Sequence, residues 1–259
     1  MKAVILAAGR GKRLSPWTDN RPKCMVEFAG KPLLVRQMAV LKAMDVSDIT
    51  IVTGYRADEI ENLGVRTIHN PRWSETNMVA TLMCAAEVID GRDDVLIAYA
   101  DIVYESRVLG VIASSEASLS TAVDRGWRKL WEARGGDLLE KAETMKFDKD
   151  GYIIELGKKP KSLDDIEGQY IGLTKVSAGF CAEFVDRYQR LDPNRRYDGA
   201  ALPNMYMTSY LQHLIECGVR LKAALVDHGW IEIDTVEDLS MYGEMLNTGA
   251  LQRLYDPGR

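Results

Sequence analysis

The segment KAVILAAGRGKRL (residues 2–14) decides the fold, because an apolar run passes directly into a glycine-rich, cationic turn. A short run rich in Val, Ile and Leu that ends at glycine is typical of a central parallel strand with both faces buried. Small side chains after such a strand leave backbone N–H groups open at the carboxyl edge of the sheet, where open α/β sheets bind ligands. The segment therefore predicts an anion-binding turn.

Cations are concentrated in this turn although the 259-residue chain is acidic, with a net charge of −5 and a pI near 5.4. That balance argues against nucleic-acid binding, which needs a broad basic face. Two familiar phosphate motifs do not fit. Arg13 stands where a P-loop has Ser or Thr, and Leu14 stands where a dinucleotide fingerprint has its third glycine. The local cluster comprises Arg10, Lys12, Arg13, Arg21 and Lys23.

Strand and helix patterns alternate through the first hundred residues. Strands are expected at 2–8, 48–54, 65–70 and 94–100, and helices at 31–45 and 76–90. The second half predicts a hairpin at 145–157, a strand at 170–180, one or two strands within 219–234, and a helix at 236–249. A further helix at 200–218 would carry Pro203 in its first turn, and the charged stretch 124–146 would leave the main sheet.

These elements predict an α/β fold: a Rossmann-like, mostly parallel mixed sheet flanked by helices. We expect one domain over 1–259, divided into an N-terminal part at about 1–122 and a C-terminal part at about 123–259. No apolar stretch reaches the length of a membrane helix, and no leader is recognisable, so a cytoplasmic setting is expected. The four cysteines lack CxxC spacing, which argues for reduced thiols and against structural zinc. The sequence leaves the oligomeric state open.

Acidic residues end two of the apolar runs. Asp101 follows the strand VLIAYA, and Asp234 ends WIEID with Glu232 two residues earlier. Carboxylates from separate strands, completed by water and phosphate oxygens, are how proteins hold Mg²⁺. Asp234 has an alternative role as the N-cap of the following helix. On this pattern Asp101 and Asp234 are candidate Mg²⁺ ligands, with Glu232 as the second choice, and the cap stays equally open for Asp234.

LAAGRGKRL followed by RPKCMVEFAGKPLL resembles the N-terminal motif of nucleotidyltransferases that join an NTP to a phosphorylated metabolite. The resemblance implies the nucleotidyltransferase (GT-A-like) fold and pyrophosphate release. It also implies that Arg13 contacts the leaving pyrophosphate, that Lys23 bridges the α-phosphate and the incoming phosphate, and that the aspartates bind Mg²⁺. The base and triphosphate would be held by Leu6, Ala7, Ala8, Gly9 and Gly11.

The segments around WRKLWEAR and IIELGKKP are similar to the phosphocholine cytidylyltransferase-like branch, so CTP is the expected nucleotide. HNPRWSETNMVATL occupies the place of the base-reading segment, where Glu75, Thr76 and Asn77 are candidates. Helix capping is the alternative for Thr76 and Asn77. An acceptor phosphate is already ionised near neutral pH, so the expected reaction needs no general base.

The acceptor would be a small phosphorylated amine, phosphonate or phosphoramidate. Aromatic faces with a carboxylate would suit a quaternary ammonium, and Glu143 with Arg134 would suit a zwitterion. Lys159 resembles the lysine that holds the acceptor phosphate in sugar-phosphate relatives. Two alternatives remain: a sugar-1-phosphate nucleotidyltransferase using UTP or dTTP, and a non-catalytic nucleotide sensor. The acceptor set is Trp131, Arg134, Glu143, Lys159, Tyr197 and Asp198.

Overall fold

A computed structural model describes residues 1–258, which fold around a nine-stranded sheet. The strands are β1 Lys2–Ala7, β2 Glu27–Phe28, β3 Lys31–Pro32, β4 Ile49–Thr53, β5 Arg66–His69, β6 Val95–Tyr99, β7 Ile102–Tyr104, β8 Leu119–Asp124, β9 Met145–Phe147, β10 Tyr152–Leu156, β11 Gln169–Val176, β12 Arg196–Tyr197, β13 Ala200–Ala201, β14 Leu221–Val226 and β15 Trp230–Glu232. The helices are α1 Leu33–Ala43, α2 Asp58–Glu61, α3 Met78–Met83, α4 Ser106–Ala113, α5 Trp127–Ala133, α6 Leu138–Lys141, α7 Cys181–Gln189, α8 Met207–Glu216 and α9 Val236–Thr248.

The central sheet has the order β5-β4-β1-β6-β11-β8-β14-β10-β9. Its first four strands are parallel, β11 runs antiparallel to both β6 and β8, and β14 is parallel to β8. The β9–β10 hairpin closes the far edge. The predicted mixed, mostly parallel sheet is confirmed, and the predicted strands at 2–8, 48–54, 65–70 and 94–100 match β1, β4, β5 and β6.

Both faces of the sheet are covered by apolar layers. Along β1, Ala3 and Ile5 face one core cluster and Val4 and Leu6 face the other, as the period-two geometry of a strand requires. Helices α1, α4 and α9 cover the first face, and α3, α7 and α8 cover the second. Burial on both sides explains why β1 reads as a continuous apolar run.

Two predicted helices have different bounds in the structure. The helix expected at 200–218 begins only at Met207. Residues 200–201 form β13, and Pro203 lies in a separate 3₁₀ turn. The carbonyl of Pro203 accepts a hydrogen bond of 2.9 Å from the N–H of Asn77. The helix expected at 76–90 ends at Met83 and continues as a 3₁₀ turn at Ala86–Val88. The hydrogen bond between Asn77 and Pro203 links the segments that precede α3 and α8.

The charged stretch 124–146 does leave the sheet, as expected, and forms α5 and α6 between β8 and β9. Trp127, Leu130 and Trp131 of α5 are nevertheless buried in the core. Both expected parts of the chain contribute to the central sheet, where β8 spans residue 122 and lies between β11 and β14, and the division near that residue stays a prediction. Among residues 1–258, no helix has the length and apolar character needed to span a bilayer.

Candidate active site

Two acidic strand ends meet at the carboxyl edge of β1 and β6. Asp101 directly follows β6, and β7 then pairs antiparallel with β15, which leads into Asp234. The N–H of Ile233 donates a hydrogen bond of 3.0 Å to the carbonyl of Asp101. This pairing brings together two aspartates that are more than 130 positions apart in the sequence.

Lys23 lies between these aspartates. Its Nζ is 2.7 Å from Oδ2 of Asp101 and 2.5 Å from Oδ1 of Asp234. Arg13 reaches the other oxygen of Asp234, with Nη2 to Oδ2 at 2.5 Å. The predicted catalytic cations and predicted metal ligands thus form one cluster. The Lys23 side chain is 13 % exposed, whereas that of Arg13 is 71 % exposed and free to follow a ligand.

The electrostatics of the cluster are dominated by carboxylates. Burial alone would lower the pKa of Lys23, but the neighbouring negative charges, Asp101 foremost, raise it above its usual value. Burial raises the pKa of Glu232, the charge of Asp101 adds to this rise, and Arg134 opposes it. A permanently cationic lysine among acids suits the binding of a polyphosphate together with a divalent cation.

The glycine-rich turn supports Lys23 directly. Gly11 has φ of 73°, in the left-handed region that glycine adopts without strain. A Cβ at this position would lie 2.8 Å from Cβ of Lys23, too close for any side chain. The hydroxyl of Thr18 donates a hydrogen bond of 2.9 Å to the Gly11 carbonyl and fixes the turn. Gly11 therefore has an indirect role, because its lack of a side chain leaves room for Lys23.

The alternative role of Asp234 as a helix cap is not realised. The N-cap of α9 is Thr235, whose hydroxyl accepts from the N–H of Asp238, while Asp238 accepts from the N–H of Thr235 in a capping box. Because this pair satisfies the start of the helix, the carboxylate of Asp234 is available to Lys23 and Arg13.

A cavity of about 140 Å³ lies beside Lys23 and Asp101. The predicted nucleotide-binding residues Leu6, Ala7, Ala8 and Gly9 line it at the end of β1. The predicted base-reading residues Thr76 and Asn77 line the opposite wall, but Glu75 is an exposed residue paired with Arg72. The remaining lining residues are Cys24, Trp73, Met78, Thr81, Tyr99 and Ala100.

The polar atoms of Thr76 and Asn77 already have partners. The hydroxyl of Thr76 donates to the carbonyl of Arg72 at 2.9 Å and accepts from Asn70 at 3.0 Å. The side chain of Asn77 caps α3 by accepting from the N–H of Met78 at 2.8 Å. The capping alternative is therefore realised for Asn77, and base reading by either side chain stays a prediction.

The carboxylates of Asp101 and Asp234 suit Mg²⁺. Oδ1 of Asp101 is buried and has no hydrogen-bond partner within residues 1–258, so no protein donor competes with a cation for this oxygen. Over the same residues, no group of three or more His, Cys, Asp or Glu side chains is arranged to hold a metal. One or two carboxylates completed by water and substrate phosphates are the usual protein site for Mg²⁺.

The predicted acceptor residues Glu143 and Asp198 lie near Glu232. Desolvation raises the pKa of Glu143 above its usual value, and the charges of Glu232 and Asp198 raise it further. Asp198 sits with Gly199 in the two-residue turn between β12 and β13, at φ of 47° and 80°, the pattern of a type I′ hairpin. These three carboxylates make this part of the site acidic.

The other predicted acceptor residues have different surroundings. Trp131 is packed against Trp127 and Trp230, with ring centroids 6.5 and 6.1 Å away, and only its edge reaches the groove beside Asp234. Tyr197 is buried against His213. An aromatic cage of these rings is not assembled. The role of each residue in acceptor binding stays a prediction.

The two remaining cations of the acceptor set also have protein partners. Arg134 is buried in ion pairs with Asp238 and Glu232. Lys159 is exposed and pairs with Glu140 at 3.0 Å. Two side chains that the sequence reading left unassigned, Trp73 and Tyr99, do line the cavity. Trp73 stands within the base-reading segment and Tyr99 two residues before Asp101, so their positions were the available signal.

Comparisons with known proteins agree with this geometry. Residues 3–150 match the MobA-like NTP transferase domain. The chain is 42 % identical over 250 residues to the CTP:phosphoglutamine cytidylyltransferase of Campylobacter jejuni, covering 93 % of this chain and 98 % of that protein. It is 40 % identical over 91 residues to the choline-phosphate cytidylyltransferase of Streptococcus pneumoniae, covering 34 % of this chain and 40 % of that protein.

The fold recurs in a solved structure of CTP:phosphocholine cytidylyltransferase from Streptococcus pneumoniae. The TM-score is 0.71 at 20 % identity, over 95 % of this chain and 98 % of that one. Nucleotidyltransferases named for sugar phosphates are weaker relatives, at 24 % identity for a glucose-1-phosphate thymidylyltransferase of Streptomyces griseus. The chain belongs to the family of MobA-like NTP transferases and has the fold of nucleotidyltransferases.

Proposed function

We propose that this protein transfers CMP from CTP to a small phosphorylated acceptor and releases pyrophosphate. The observation that carries the proposal is the cluster of Lys23 and Arg13 on Asp101 and Asp234, beside a cavity at the end of β1. The 42 % identity to a CTP:phosphoglutamine cytidylyltransferase over nearly the whole chain supports the choice of CTP and of a small acceptor.

In the proposed reaction an oxygen of the acceptor phosphate attacks the α-phosphorus of CTP. A bond forms between these atoms, the bond from the α-phosphorus to the bridging oxygen of the β-phosphate breaks, and pyrophosphate leaves with that electron pair. The acceptor oxygen carries no proton that must be removed, so positioning and charge neutralisation lower the barrier. Lys23 neutralises the approaching phosphates, and the exposed Arg13 follows the departing pyrophosphate.

The carboxylates of Asp101 and Asp234 would hold Mg²⁺, with Glu232 beside them. When bound, Mg²⁺ supplies positive charge to the phosphate oxygens of the nucleotide. Lys23 and Arg13 occupy those carboxylates in the protein alone, so ligand binding exchanges these ion pairs for contacts with phosphate. Neutralisation of the acids by lysine and arginine lowers the cost of holding several carboxylates together before substrate arrives.

The acceptor is proposed to carry a positive charge. Glu143, Asp198 and Glu232 create negative potential on the acceptor side, which favours an ammonium group and disfavours a neutral sugar. Phosphorylated amines and zwitterions, the latter with an α-ammonium, have this feature. Two relatives of this chain are named for phosphoglutamine and for choline phosphate.

A substrate panel tests the proposal. Pyrophosphate release is measured with each of four NTPs and Mg²⁺ against phosphocholine, phosphoethanolamine, aminoethylphosphonate, glutamine phosphorylated on its amide, and glucose-1-phosphate. Release with CTP and one of the nitrogen-containing acceptors is the expected result. Release only with UTP or dTTP and glucose-1-phosphate would contradict it, and binding of nucleotide without release would indicate a sensor.

A further inference from the structure

A buried arginine connects the segment after α5 to the start of α9. The side chain of Arg134 is only 12 % exposed, and its guanidinium makes three hydrogen bonds of 2.8 Å. Nε and Nη2 donate to the two carboxylate oxygens of Asp238, and Nη1 donates to Oε2 of Glu232. The ring of Trp131 lies 5.4 Å from the guanidinium carbon and covers its face. A buried group with this many charged bonds holds its partners in fixed positions.

Asp238 passes this constraint to the backbone of the site. Its Oδ2, which accepts from Arg134, also accepts from the N–H of Asp234 at 3.0 Å and from that of Thr235 at 3.1 Å. Hydrogen bonds therefore connect Arg134 to Asp238 and Asp238 to the peptide N–H of Asp234. The carboxylate of Asp234 in turn contacts Lys23 and Arg13.

The same guanidinium restrains the end of β15. Glu232 and Asp234 lie two residues apart on the strand end, and Asp238 lies one helical turn further on. Three carboxylates in this small volume repel one another unless a cation is shared among them. Arg134 supplies such a cation to Glu232 and Asp238, and its planar fork engages both acids at once.

We infer that Arg134 is a positioning residue for the reaction, which acts through Asp238 and Glu232 to aim the carboxylate of Asp234 at the nucleotide. This role differs from the acceptor contact expected from the sequence, which stays a prediction, because the guanidinium donates to Asp238 and Glu232 in this structure. The inference rests on the proposed function for its kinetic readout only. Outer partners that orient metal-ligating groups change metal affinity or activity by about 10- to 100-fold when they are removed.

The test compares Arg134→Met and Arg134→Lys with Arg128→Met. Arg128 lies on α5, and its guanidinium is 5.9 Å from the ring of Trp127, but it forms no ion pair within residues 1–258. For each protein, heat is recorded as Mg²⁺ is titrated in the presence of CTP without acceptor. The Mg²⁺ concentration for half-maximal rate, kcat, the KM of the acceptor and the Tm are then measured.

Arg134→Met is expected to weaken Mg²⁺ binding about 10- to 100-fold and to lower kcat by a similar factor, while the acceptor KM changes less than threefold. Arg134→Lys should recover most of the Tm but not the Mg²⁺ affinity, since an ammonium cannot reproduce the fork. Arg128→Met should match the wild type in Mg²⁺ affinity.

A loss of Tm without a change in Mg²⁺ affinity or kcat would overturn the inference, because a purely structural role predicts that pattern. A large rise in the acceptor KM alone would also overturn it and restore the acceptor contact. If Arg134→Met does not fold, Arg134→Lys decides between the same outcomes. A wild-type protein without transferase activity would contradict the proposed function instead, and the calorimetric titration would still test Arg134.

Discussion

The proposed nucleotide side and the proposed acceptor side of the site are built differently. The nucleotide side uses the ends of the parallel strands β1 and β6 and the turn that begins at Gly9, so its positions are fixed by the sheet. The acceptor side uses Glu143 from the segment before β9 and Asp198 from the turn of the β12–β13 hairpin. Such loops change more freely than strands. On this proposal the chemistry is tied to the fold, whereas acceptor choice depends on separate segments that can be replaced.

The largest effect is expected from removing the positive charge of Lys23, which the proposed reaction uses for both the nucleotide and the acceptor phosphate. Lys23→Met should lower kcat by about 100- to 1000-fold, because the charge that stabilises the approaching phosphates is lost. The rate is measured by pyrophosphate release at saturating CTP and acceptor, with circular dichroism to verify folding. Lys42→Met, an exposed lysine near the end of α1, is the matched control and should retain wild-type activity. Activity within tenfold of wild type would remove Lys23 from the reaction.

The second test addresses the carboxylate at the end of β6. Asp101→Asn should lower kcat about 100-fold and raise the Mg²⁺ requirement, because a neutral amide is a weaker ligand and also leaves Lys23 with one acidic partner fewer. A titration of rate against Mg²⁺ checks this. Asp227→Asn, in an exposed pair with Arg125, serves as the control. An unchanged Mg²⁺ response in Asp101→Asn would exclude this residue from the metal site.

The third test should separate the two sides. Glu143→Gln is expected to raise the KM of a cationic acceptor about tenfold, which corresponds to about 1.4 kcal/mol, with little effect on the KM of CTP. A comparable rise in both KM values would contradict the division of the site.

The pH dependence of acceptor affinity gives a second measurement of the role of Glu143. The pKa of Glu143 is raised, so the carboxyl is neutral at low pH and becomes charged as the pH increases through that raised pKa. Affinity for an ammonium acceptor should therefore improve over that range in the wild type, and this component should vanish in Glu143→Gln. The ionisation of the acceptor phosphate is common to both proteins and cancels in the comparison.

The smallest expected effect concerns the nucleotide side alone. Gly11→Ala should lower the free energy of unfolding by about 1–2 kcal/mol, because alanine is strained at φ of 73° and its Cβ would crowd Lys23. Gly9→Ala should change that free energy by less than about 0.5 kcal/mol, since a Cβ there meets no atom within 4 Å. Urea unfolding of both variants checks the pair. Equal decreases in the free energy of unfolding for Gly11→Ala and Gly9→Ala would contradict the support of Lys23 by this turn.

Local patterns predicted much of the sheet and the centre of the site. The buried runs around Ile5 and Ile97 carry the strand signal themselves, and the residues that end such runs must meet at one sheet edge. Asp101 and Asp234 end apolar runs and Lys23 belongs to the cation cluster that follows β1. The resemblance to nucleotidyltransferases added their expected roles, and the structure places the three side chains in contact.

Long-range pairing accounts for what the sequence did not predict. Arg134 and Asp238 are 104 positions apart, and no local pattern in either segment indicates that they pair. The burial of Trp131 against Trp230 likewise depends on the path of the chain between them. The helix expected at 200–218 begins only at Met207, because the preceding residues form a turn in which the carbonyl of Pro203 accepts a hydrogen bond from Asn77. Propensity is overridden where distant segments meet.

The most direct test of the central claim traces the acceptor oxygen that would bond to the α-phosphorus of CTP. The acceptor that is active in the panel is prepared with ¹⁸O in its phosphate and incubated with CTP, Mg²⁺ and the protein, and the products are analysed by mass spectrometry. If the acceptor oxygen attacks the α-phosphorus, the CMP-linked product retains all of the label and the pyrophosphate contains none. Label in the pyrophosphate, or the absence of a CMP-linked product, would contradict the account.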